Sequence, residues 1–284
     1  MVLDRLPRLE DDGLSLPEVG AWAERKYRLV QTYSEMFATA MKGKWGARAF
    51  VDLFAGAGRA KIKDTPFVIP TSAMLALQVK DRFDRYIFCE IEPDKLSALK
   101  RRASRDTPGT DVRCIPGDCN ASVERILAEI PKPERGRTVL SFCVADPYSL
   151  ANLKFATLSA LAQRYVDFLV LIPSYMDAHR NLDTYLDTGN TIVEDFLGDP
   201  DWRKHWARAA SRAGTREFGA FVVDRFGCSM KRLGFAYDGP GDEVPVRDKH
   251  LLLYHLAFFS RSELGKKFWR EAKRYSTDQL NLFS

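Results

Sequence analysis

Hydrophobic positions near the start of the chain recur at the spacing of an amphipathic helix. Ser15, Pro17 and Glu18 suit a helix N-terminus, and apolar side chains then follow at helical intervals up to Gly43. The apolar positions of this run are Val19, Trp22, Leu29, Tyr33, Met36 and Ala40. The pattern predicts one long helix that begins at Ser15, ends at Gly43 and packs against a sheet.

Short apolar runs then alternate with helical patterns as far as residue 173. Strands are expected at 49–54, 85–91, 112–115, 139–145 and 168–173. Helices are expected between them, at 71–79, 93–105, 121–130 and 153–164. Such alternation predicts a parallel sheet with helices on both faces. The strands are continuous apolar runs, which is typical of strands that are covered on both sides.

The alternation stops near residue 175. The pattern at 176–245 predicts inserted helices. The strongest late strand is expected at 251–259, and its antiparallel partner at 230–250. A helix follows Ser262. We therefore expect an α/β fold with a mostly parallel seven-stranded sheet, an antiparallel C-terminal strand and an added helical segment. The predicted units are an N-terminal helical extension (1–46), an α/β core (47–175), a helical insertion (176–245), the last strand and helix of the core (246–276) and a C-terminal tail (277–284).

Composition narrows the class of protein. Hydrophobic residues make up 45% and charged residues 29% of the 284 positions, which are ordinary globular values. The chain has no apolar run long enough for a transmembrane helix and no signal-peptide pattern at its start, so a cytoplasmic location is expected. Five cysteines without a Cys-x-x-Cys pair favour neither a disulfide framework nor a metal site. Cys89 and Cys143 fall in apolar strands and are expected in the core.

The charge is mildly basic. The formal net charge is +5, and basic residues gather at 100–105, 203–216 and 266–274. Clusters of this kind suit contact with a phosphate backbone. The alternative for each cluster is the solvated face of a helix. The charge therefore permits a nucleic-acid partner without requiring one.

The stretch 50–58, Phe-Val-Asp-Leu-Phe-Ala-Gly-Ala-Gly, contains the most informative motif. It ends a strand at Asp52, continues through Phe54 and places Gly56 and Gly58 one residue apart. Glycine accepts positive φ and lets a ligand approach the backbone closely. A strand followed by such a turn is where an open α/β sheet holds an adenosine-type cofactor. The alternative is a purely structural turn, and neither the Walker A pattern nor the third glycine of the dinucleotide fingerprint is present.

Acidic residues end the next strands in the order that an adenosine cofactor requires. Glu90 ends the second strand, where a carboxylate accepts hydrogen bonds from ribose hydroxyls. Asp118 follows the third strand and can accept from the adenine amino group. Asp146, Pro147 and Tyr148 follow the fourth strand, where the reacting group would lie. Each acid alone also suits a turn or a cap, but their order on successive strands favours a cofactor site.

The turn at 52–58 resembles motif I of class I S-adenosylmethionine-dependent methyltransferases. The resemblance implies a Rossmann-like methyltransferase fold in which S-adenosylmethionine is held by Asp52, Phe54, Gly56, Gly58, Glu90 and Asp118. Asp146, Pro147 and Tyr148 would be the catalytic residues. Amino-methylating members carry Asp/Asn-Pro-Pro-aromatic there, whose ring stacks on a flipped base. This chain is one residue short at that point, and an insert at 59–70 separates the glycines from the next helix. For Tyr148 the alternative is packing.

A longer set of motifs is similar to the three-Cys-motif partner proteins of bacteria. These motifs are Lys26…Tyr33…Phe37, the glycine turn, Thr71-Ser72-Ala73, Gly117-Asp118-Cys119-Asn120, Asp146-Pro147-Tyr148, Pro173-Ser174-Tyr175-Met176-Asp177…Arg180-Asn181 and Leu253-Tyr254-His255-Leu256. The resemblance implies a working pair in which the other protein, not this chain, carries a cysteine triad like that of radical S-adenosylmethionine enzymes.

The last residues match a second kind of motif. Gln279, Leu280, Leu282 and Phe283 fit the Gln-Leu-x-Leu-Phe form of peptides that bind the bacterial sliding clamp. In such a tail, Leu282 and Phe283 fill an apolar pocket while Gln279 contacts a polar edge. The alternative is a chain end docked on the core.

Taken together, the motifs predict a methyltransferase-like partner of a three-Cys-motif protein in bacterial DNA repair or modification. We expect S-adenosylmethionine as its cofactor and no metal. DNA and the sliding clamp are further expected partners, and a membrane is not. Three alternatives stay open: an active nucleic-acid methyltransferase, a non-catalytic accessory tethered to the clamp, and methylation of a small molecule.

Overall fold

The computed structural model describes residues 6–213, 218–237, 244–248 and 251–278. The strands are β1 (Glu18–Val19), β2 (Ala47–Asp52), β3 (Arg59–Ile62), β4 (Val68–Pro70), β5 (Arg85–Glu90), β6 (Val112–Pro116), β7 (Val139–Ala145), β8 (Val166–Ile172), β9 (Val244–Asp248) and β10 (Leu251–Phe259). The helices are α1 (Ala23–Met41), α2 (Ser72–Leu77), α3 (Pro93–Asp106), α4 (Val123–Glu129), α5 (Phe155–Leu161), α6 (Leu182–Leu186), α7 (Ile192–Leu197), α8 (Trp202–Ala213), α9 (Phe218–Arg232) and α10 (Glu263–Asp278).

The described residues form a seven-stranded sheet in the order β6-β5-β2-β7-β8-β10-β9. The first five of these strands run parallel, and β10 runs antiparallel to both β8 and β9. In the middle of the sheet, Val51 pairs with Ile87 on one side and Cys143 on the other. The predicted α/β fold, with a mostly parallel seven-stranded sheet and an antiparallel late strand, is confirmed.

Helices cover both faces of this sheet, as the buried strands require. On one face α1, α2, α3 and α10 pack around aromatic residues, among them Tyr33, Phe142 and Trp269. On the other face α4, α5 and the helices from α7 to α9 pack around Phe168, Phe226 and neighbouring apolar side chains. The helices predicted within 176–245 therefore share the core of the sheet. Strand β9 begins at Val244, just inside that range.

The predicted start of the first helix is wrong. The helix begins at Ala23 rather than at Ser15 and ends, near the predicted point, at Met41. The backbone before it bonds to another strand, because Lys61 N–H donates to Pro17 O and Lys63 N–H donates to Val19 O, each at 2.9 Å. The insert at 59–70 supplies that strand as a hairpin. The result is a second, three-stranded sheet in the order β1-β3-β4.

No helix among the described residues has the length and apolar character needed to cross a lipid bilayer.

Candidate functional site

A cavity of about 570 Å³ opens at the carboxyl ends of β2, β5, β6 and β7. Parallel strands place the residues that follow them at one edge of a sheet, which is where open α/β proteins bind ligands. The cavity is lined by residues of the strand ends and of the N-terminal segment: Glu18, Val19, Gly20, Trp22, Lys26, Tyr27, Leu53, Phe54, Gly56, Glu90, Ile91, Glu92, Lys95, Gly117, Asp118, Cys119, Asp146, Pro147, Tyr148, Asn152, Leu171 and Met176. Of the nine predicted cofactor and catalytic residues, seven lie here: Phe54, Gly56, Glu90, Asp118, Asp146, Pro147 and Tyr148.

Gly56 and Glu90 lie at the centre of one end of the cavity, beside the glycine turn. The N–H of Gly56 donates to Glu90 Oε2 at 2.8 Å, and the N–H of Glu92 donates to Glu90 Oε1 at 2.9 Å. Gly56 has a φ of +63°, and apart from Gly56 and its two chain neighbours no described residue has an atom within 4 Å of the position that a Cβ would take. The glycine turn therefore keeps the space beside it open, while two backbone amides fix the carboxylate.

The two predicted cofactor residues that do not line the cavity, Asp52 and Gly58, hold the turn from behind. Asp52 is fully buried and accepts hydrogen bonds from Ser72 Oγ at 2.5 Å and from Phe54 N–H at 3.1 Å. Burial raises the pKa of Asp52 to about 7, and the bond from Ser72 acts in the opposite direction. Gly58 has a φ of +83° and packs against α2 and α3. Both residues shape the site without facing it.

Asp118 and Ile91 complete the same end of the cavity. Asp118 Oδ1 accepts the N–H groups of Asn120 at 2.7 Å and Ala121 at 3.0 Å, so its carboxylate is fixed at the cavity wall. Ile91 is 62% exposed although it is large and apolar, and it lies beside Glu90. Sequence reasoning missed Ile91, although an apolar residue directly after a strand-end acid was a visible signal.

These groups fit the adenosine half of S-adenosylmethionine. Each Glu90 oxygen accepts one backbone N–H and keeps a lone pair that can accept a ribose hydroxyl. Asp118 offers a carboxylate for an amino group, and Ile91 offers an apolar face for a flat ring. The open space at Gly56 would be reduced by any side chain. The fit to adenosine therefore depends on the carboxylate acceptors, the apolar face of Ile91 and the open space at Gly56.

Lys26 lies at the opposite end of the cavity. Its ammonium is buried and forms an ion pair with Asp146 Oδ2. The same ammonium lies 4.6 Å from the ring centroid of Tyr27 and 5.9 Å from that of Trp22. Burial acts to lower the pKa of Lys26, but the Asp146 carboxylate more than offsets this and the pKa lies above its usual value. Lys26 is therefore a fixed cation rather than a base.

Tyr148 lies at the mouth beside this ion pair. It is 82% exposed, so its ring is available to a ligand. The loop that carries it is tied down two residues later, where Leu150 N–H donates to Asp177 Oδ2 at 2.6 Å. Asp177 also accepts from Tyr185 Oη at 2.6 Å. The buried Asp177 thus joins the loop after β7 to the π-helical turn Ser174–Ala178 after β8 and to α6.

The cysteines contribute to the core. Cys89 and Cys143 are buried, as predicted, and Cys119 is buried at the floor of the cavity. Burial raises the pKa of Cys89 and of Cys119 to about 12, so neither thiol is activated. Among the described residues, no group of three or more His, Cys, Asp or Glu side chains is placed to hold a metal ion.

The clamp-like motif at Gln279, Leu280, Leu282 and Phe283 lies outside the described residues.

Comparison with known proteins adds likenesses of fold only. No family model and no curated protein match the chain. Among solved structures, a Legionella pneumophila protein of family DUF519 is similar at 11% identity and a TM-score of 0.48, over 91% of this chain and 94% of that one. An O-methyltransferase from Bacillus cereus, solved in complex with SAH, is similar at 10% identity and a TM-score of 0.43, over 81% and 80% of the two chains. At these values neither likeness carries an argument about function.

Proposed function

We propose that the cavity binds S-adenosylmethionine and that the chain is the methyltransferase-like partner of a three-Cys-motif protein in bacterial DNA repair or modification. The observation that carries the cofactor proposal is the bond from Gly56 N–H to Glu90 Oε2 at 2.8 Å, with Asp118 in the same cavity. A glycine turn, a ribose acceptor and an adenine acceptor then face one space of suitable size for a small ligand.

S-adenosylmethionine, when bound, supplies an electrophilic methyl group. At the acceptor end, Lys26 holds one oxygen of Asp146 and leaves Oδ1 to accept an N–H or O–H of an acceptor. Lys26 stays protonated, so it cannot remove a proton from that acceptor. Tyr148 offers an exposed ring for stacking next to the same carboxylate. Asp146 and Tyr148 therefore orient an acceptor, and Lys26 does not act as its base.

Calorimetric titration with S-adenosylmethionine and with its demethylated product, S-adenosylhomocysteine, tests the cofactor proposal. We expect both to bind the wild-type protein. Glu90→Gln removes one of the two carboxylate acceptors and should weaken binding at least tenfold. Glu129→Gln, which changes a partly exposed acid at the end of α4 that does not line the cavity, is the matched control. A folded wild-type protein that binds neither compound would sink the proposal.

The partner proposal rests on the sequence motifs, among which Lys26, Asp146 and Tyr148 meet at one end of the cavity. Co-purification with the three-Cys-motif protein, and separately with the sliding clamp, tests it. Deletion of residues 279–284 should abolish capture of the clamp and leave cofactor binding unchanged. Capture of the clamp by the shortened chain would contradict the clamp-binding role of the tail. A three-Cys-motif protein that does not co-purify would contradict the pairing.

A second candidate is an active nucleic-acid methyltransferase, which the 82% exposure of Tyr148 beside Asp146 favours. An exposed aromatic ring stacks on unpaired bases. Transfer of labelled methyl from S-adenosylmethionine to single-stranded DNA, duplex DNA and RNA measures this directly. Incorporation that depends on Asp146 supports the enzyme. No incorporation, with intact cofactor binding, favours the non-catalytic accessory, because Lys26 then serves to hold Asp146 rather than to assist transfer.

A further inference from the structure

One wall of the cofactor cavity comes from the N-terminal segment rather than from the sheet. Glu18, Val19, Gly20 and Trp22 all line the cavity. The segment is held there by pairing of β1 with β3. At Gly20, a Cβ would lie only 2.1 Å from Trp22 Nε1, so the indole can fold back over the backbone only because residue 20 is glycine. The cavity therefore depends on how this segment is fixed.

Arg102, a residue of α3, holds this N-terminal segment in place. The side chain is fully buried, and its Nη1 donates to two carbonyls, Ala57 O at 2.7 Å and Ser15 O at 3.0 Å. Ala57 lies between Gly56 and Gly58 in the glycine turn. One guanidinium thus bonds at the same time to the turn that faces the cofactor and to the segment that leads into the opposite wall.

Asp12 is the counter-ion of this arginine. Its carboxylate accepts from Arg102 Nη2 at 2.5 Å and from Arg102 Nε at 3.1 Å, in a two-point contact. Arg105 at 3.0 Å and Arg59 at 3.4 Å add further cations. The hydrogen bonds from Arg102, ahead of those from Arg105, hold the pKa of Asp12 well below its usual value. A buried guanidinium needs such a partner, because an unpaired charge there is costly.

We propose that Arg102 is a positioning residue for cofactor binding, which holds the glycine turn and the N-terminal wall of the cavity in one geometry with Asp12 as its counter-ion. The inference rests on the proposed function, since it assigns residues to the same site. Neither Arg102 nor Asp12 lines the cavity, and the two residues lie 90 positions apart in the chain.

The contacts form a short chain to the site. Arg102 bonds to the carbonyl of Ala57, Ala57 follows Gly56, and the N–H of Gly56 bonds to Glu90. A shift of the Ala57 carbonyl moves the Gly56 amide away from the carboxylate that would accept the ribose hydroxyls. Small displacements of positioning groups carry a large effect on binding geometry. Loss of the Asp12 contact frees the N-terminal wall at the same time.

The test uses Arg102→Lys and Asp12→Asn in the full chain. Lysine keeps the charge, but its three donors share one nitrogen and cannot reproduce the four bonds of Arg102, two of which reach separate oxygens of Asp12. Asparagine keeps the shape of Asp12 without its charge. Asp111→Asn is the matched control, because Asp111 also pairs with two arginines, Arg85 at 2.7 Å and Arg113 at 2.8 Å, but does not line the cavity. Calorimetry with S-adenosylhomocysteine measures affinity, and thermal unfolding without ligand measures stability.

We expect Asp12→Asn and Arg102→Lys to weaken binding of S-adenosylhomocysteine at least tenfold. Asp111→Asn should bind like the wild-type protein and lose less stability, because its carboxylate is 34% exposed against 11% for Asp12. Equal affinities for Asp12→Asn and Asp111→Asn overturn the positioning role and leave the proposed function intact. A wild-type protein that does not bind overturns both.

Hydrogen exchange of the ligand-free protein provides a readout that does not need the cofactor. If Arg102 couples the two walls, Asp12→Asn should speed amide exchange in residues 14–22 and in 55–58 together. Faster exchange in 14–22 alone shows that the N-terminal segment moves independently of the turn. That result overturns the inference even where the wild-type protein binds the cofactor.

Discussion

The ammonium of Lys26 lies against the carboxylate of Asp146, in an ion pair that joins α1 to the end of β7 inside the cavity. The two side chains are 9% and 22% exposed. Buried ion pairs seldom add net stability, because desolvation offsets the attraction. Their presence in a cavity is more typical of a functional site. The pair also explains how a shortened Asp-Pro-Tyr motif keeps its aspartate in a fixed orientation.

Lys26→Met should lower the free energy of unfolding by about 3 kcal/mol, because it leaves the Asp146 carboxylate without its counter-ion. Asp146→Asn should destabilise for the converse reason. The double variant removes both charges and should recover part of the loss. Urea denaturation of the four proteins gives a coupling free energy, which we expect to be about 1–3 kcal/mol.

The exposed pair between Lys204 and Asp201 serves as the comparison cycle. Its side chains are 77% and 55% exposed, so solvent screens the attraction. Lys204→Met and Asp201→Asn should show a coupling much smaller than that of the buried pair. Equal coupling in the two cycles would show that burial at Lys26 has no energetic consequence.

The two glycines of the turn should respond differently to alanine. Gly56→Ala carries the cost of a positive φ, about 1 kcal/mol, and places a methyl group in the open cavity, so S-adenosylhomocysteine should bind at least tenfold more weakly. Gly58→Ala carries the same backbone cost, and its Cβ would lie 2.9 Å from both Leu99 Cδ1 and Met74 Cγ. Overpacking then adds about 1–3 kcal/mol.

Calorimetry and urea denaturation separate these effects. The prediction is a larger loss of affinity at Gly56 and a larger loss of stability at Gly58. The reverse order would mean that Gly58, not Gly56, faces the ligand.

The sheet and the strand-end residues could be predicted because their signals are local. Apolar runs marked the strands. Glu90 ends one of them, and Asp118 and Asp146 follow two others in the chain. Parallel strands bring such residues to a common edge without further information. The position of the cavity at this edge therefore follows from sequence order alone.

The rest of the site could not be predicted, because its contacts join distant segments. Asp12 meets Arg102 across 90 positions, and Lys26 meets Asp146 across 120. The wall at Glu18–Val19 exists because the backbone pairs with a hairpin that the sequence showed only as an insert. The same pairing explains why the helix predicted from Ser15 begins at Ala23. A helical apolar pattern cannot report a competing strand partner elsewhere in the chain.

Tyr148→Ala should reduce retention of single-stranded DNA about tenfold, because stacking on an aromatic side chain contributes about 1–3 kcal/mol per base. Its effect on stability should stay within about 0.5 kcal/mol, since the side chain is 82% exposed. Tyr165→Ala is the control: Tyr165 is also exposed, at 59%, but precedes β8 and so lies at the opposite edge of the sheet. Fluorescence anisotropy with a labelled oligonucleotide measures DNA binding by the two variants. Equal effects would place the nucleic acid away from the cavity.

Asp52→Asn should change how stability depends on pH. The folded protein holds a proton on Asp52 up to a pKa of about 7, whereas the unfolded chain releases it near the ordinary value of 3.8. Between those values the unfolded state binds fewer protons, so the free energy of unfolding falls as the pH rises. Asparagine removes this dependence. The free energy of unfolding of the variant should therefore rise relative to that of the wild-type protein as the pH increases from 4 to 8. The total rise is up to about 4 kcal/mol, at about 1.4 kcal/mol per pH unit.

Urea denaturation of both proteins at pH 5, 6, 7 and 8 measures that difference. Asp167, whose pKa burial raises to about 6, is present in both and cancels in the comparison. Asp94→Asn, an exposed acid in the first turn of α3, should show a constant difference from the wild-type protein over the same range. A constant difference for Asp52→Asn as well would mean that Asp52 is already ionised at pH 5, with the bonds from Ser72 and Phe54 compensating its burial.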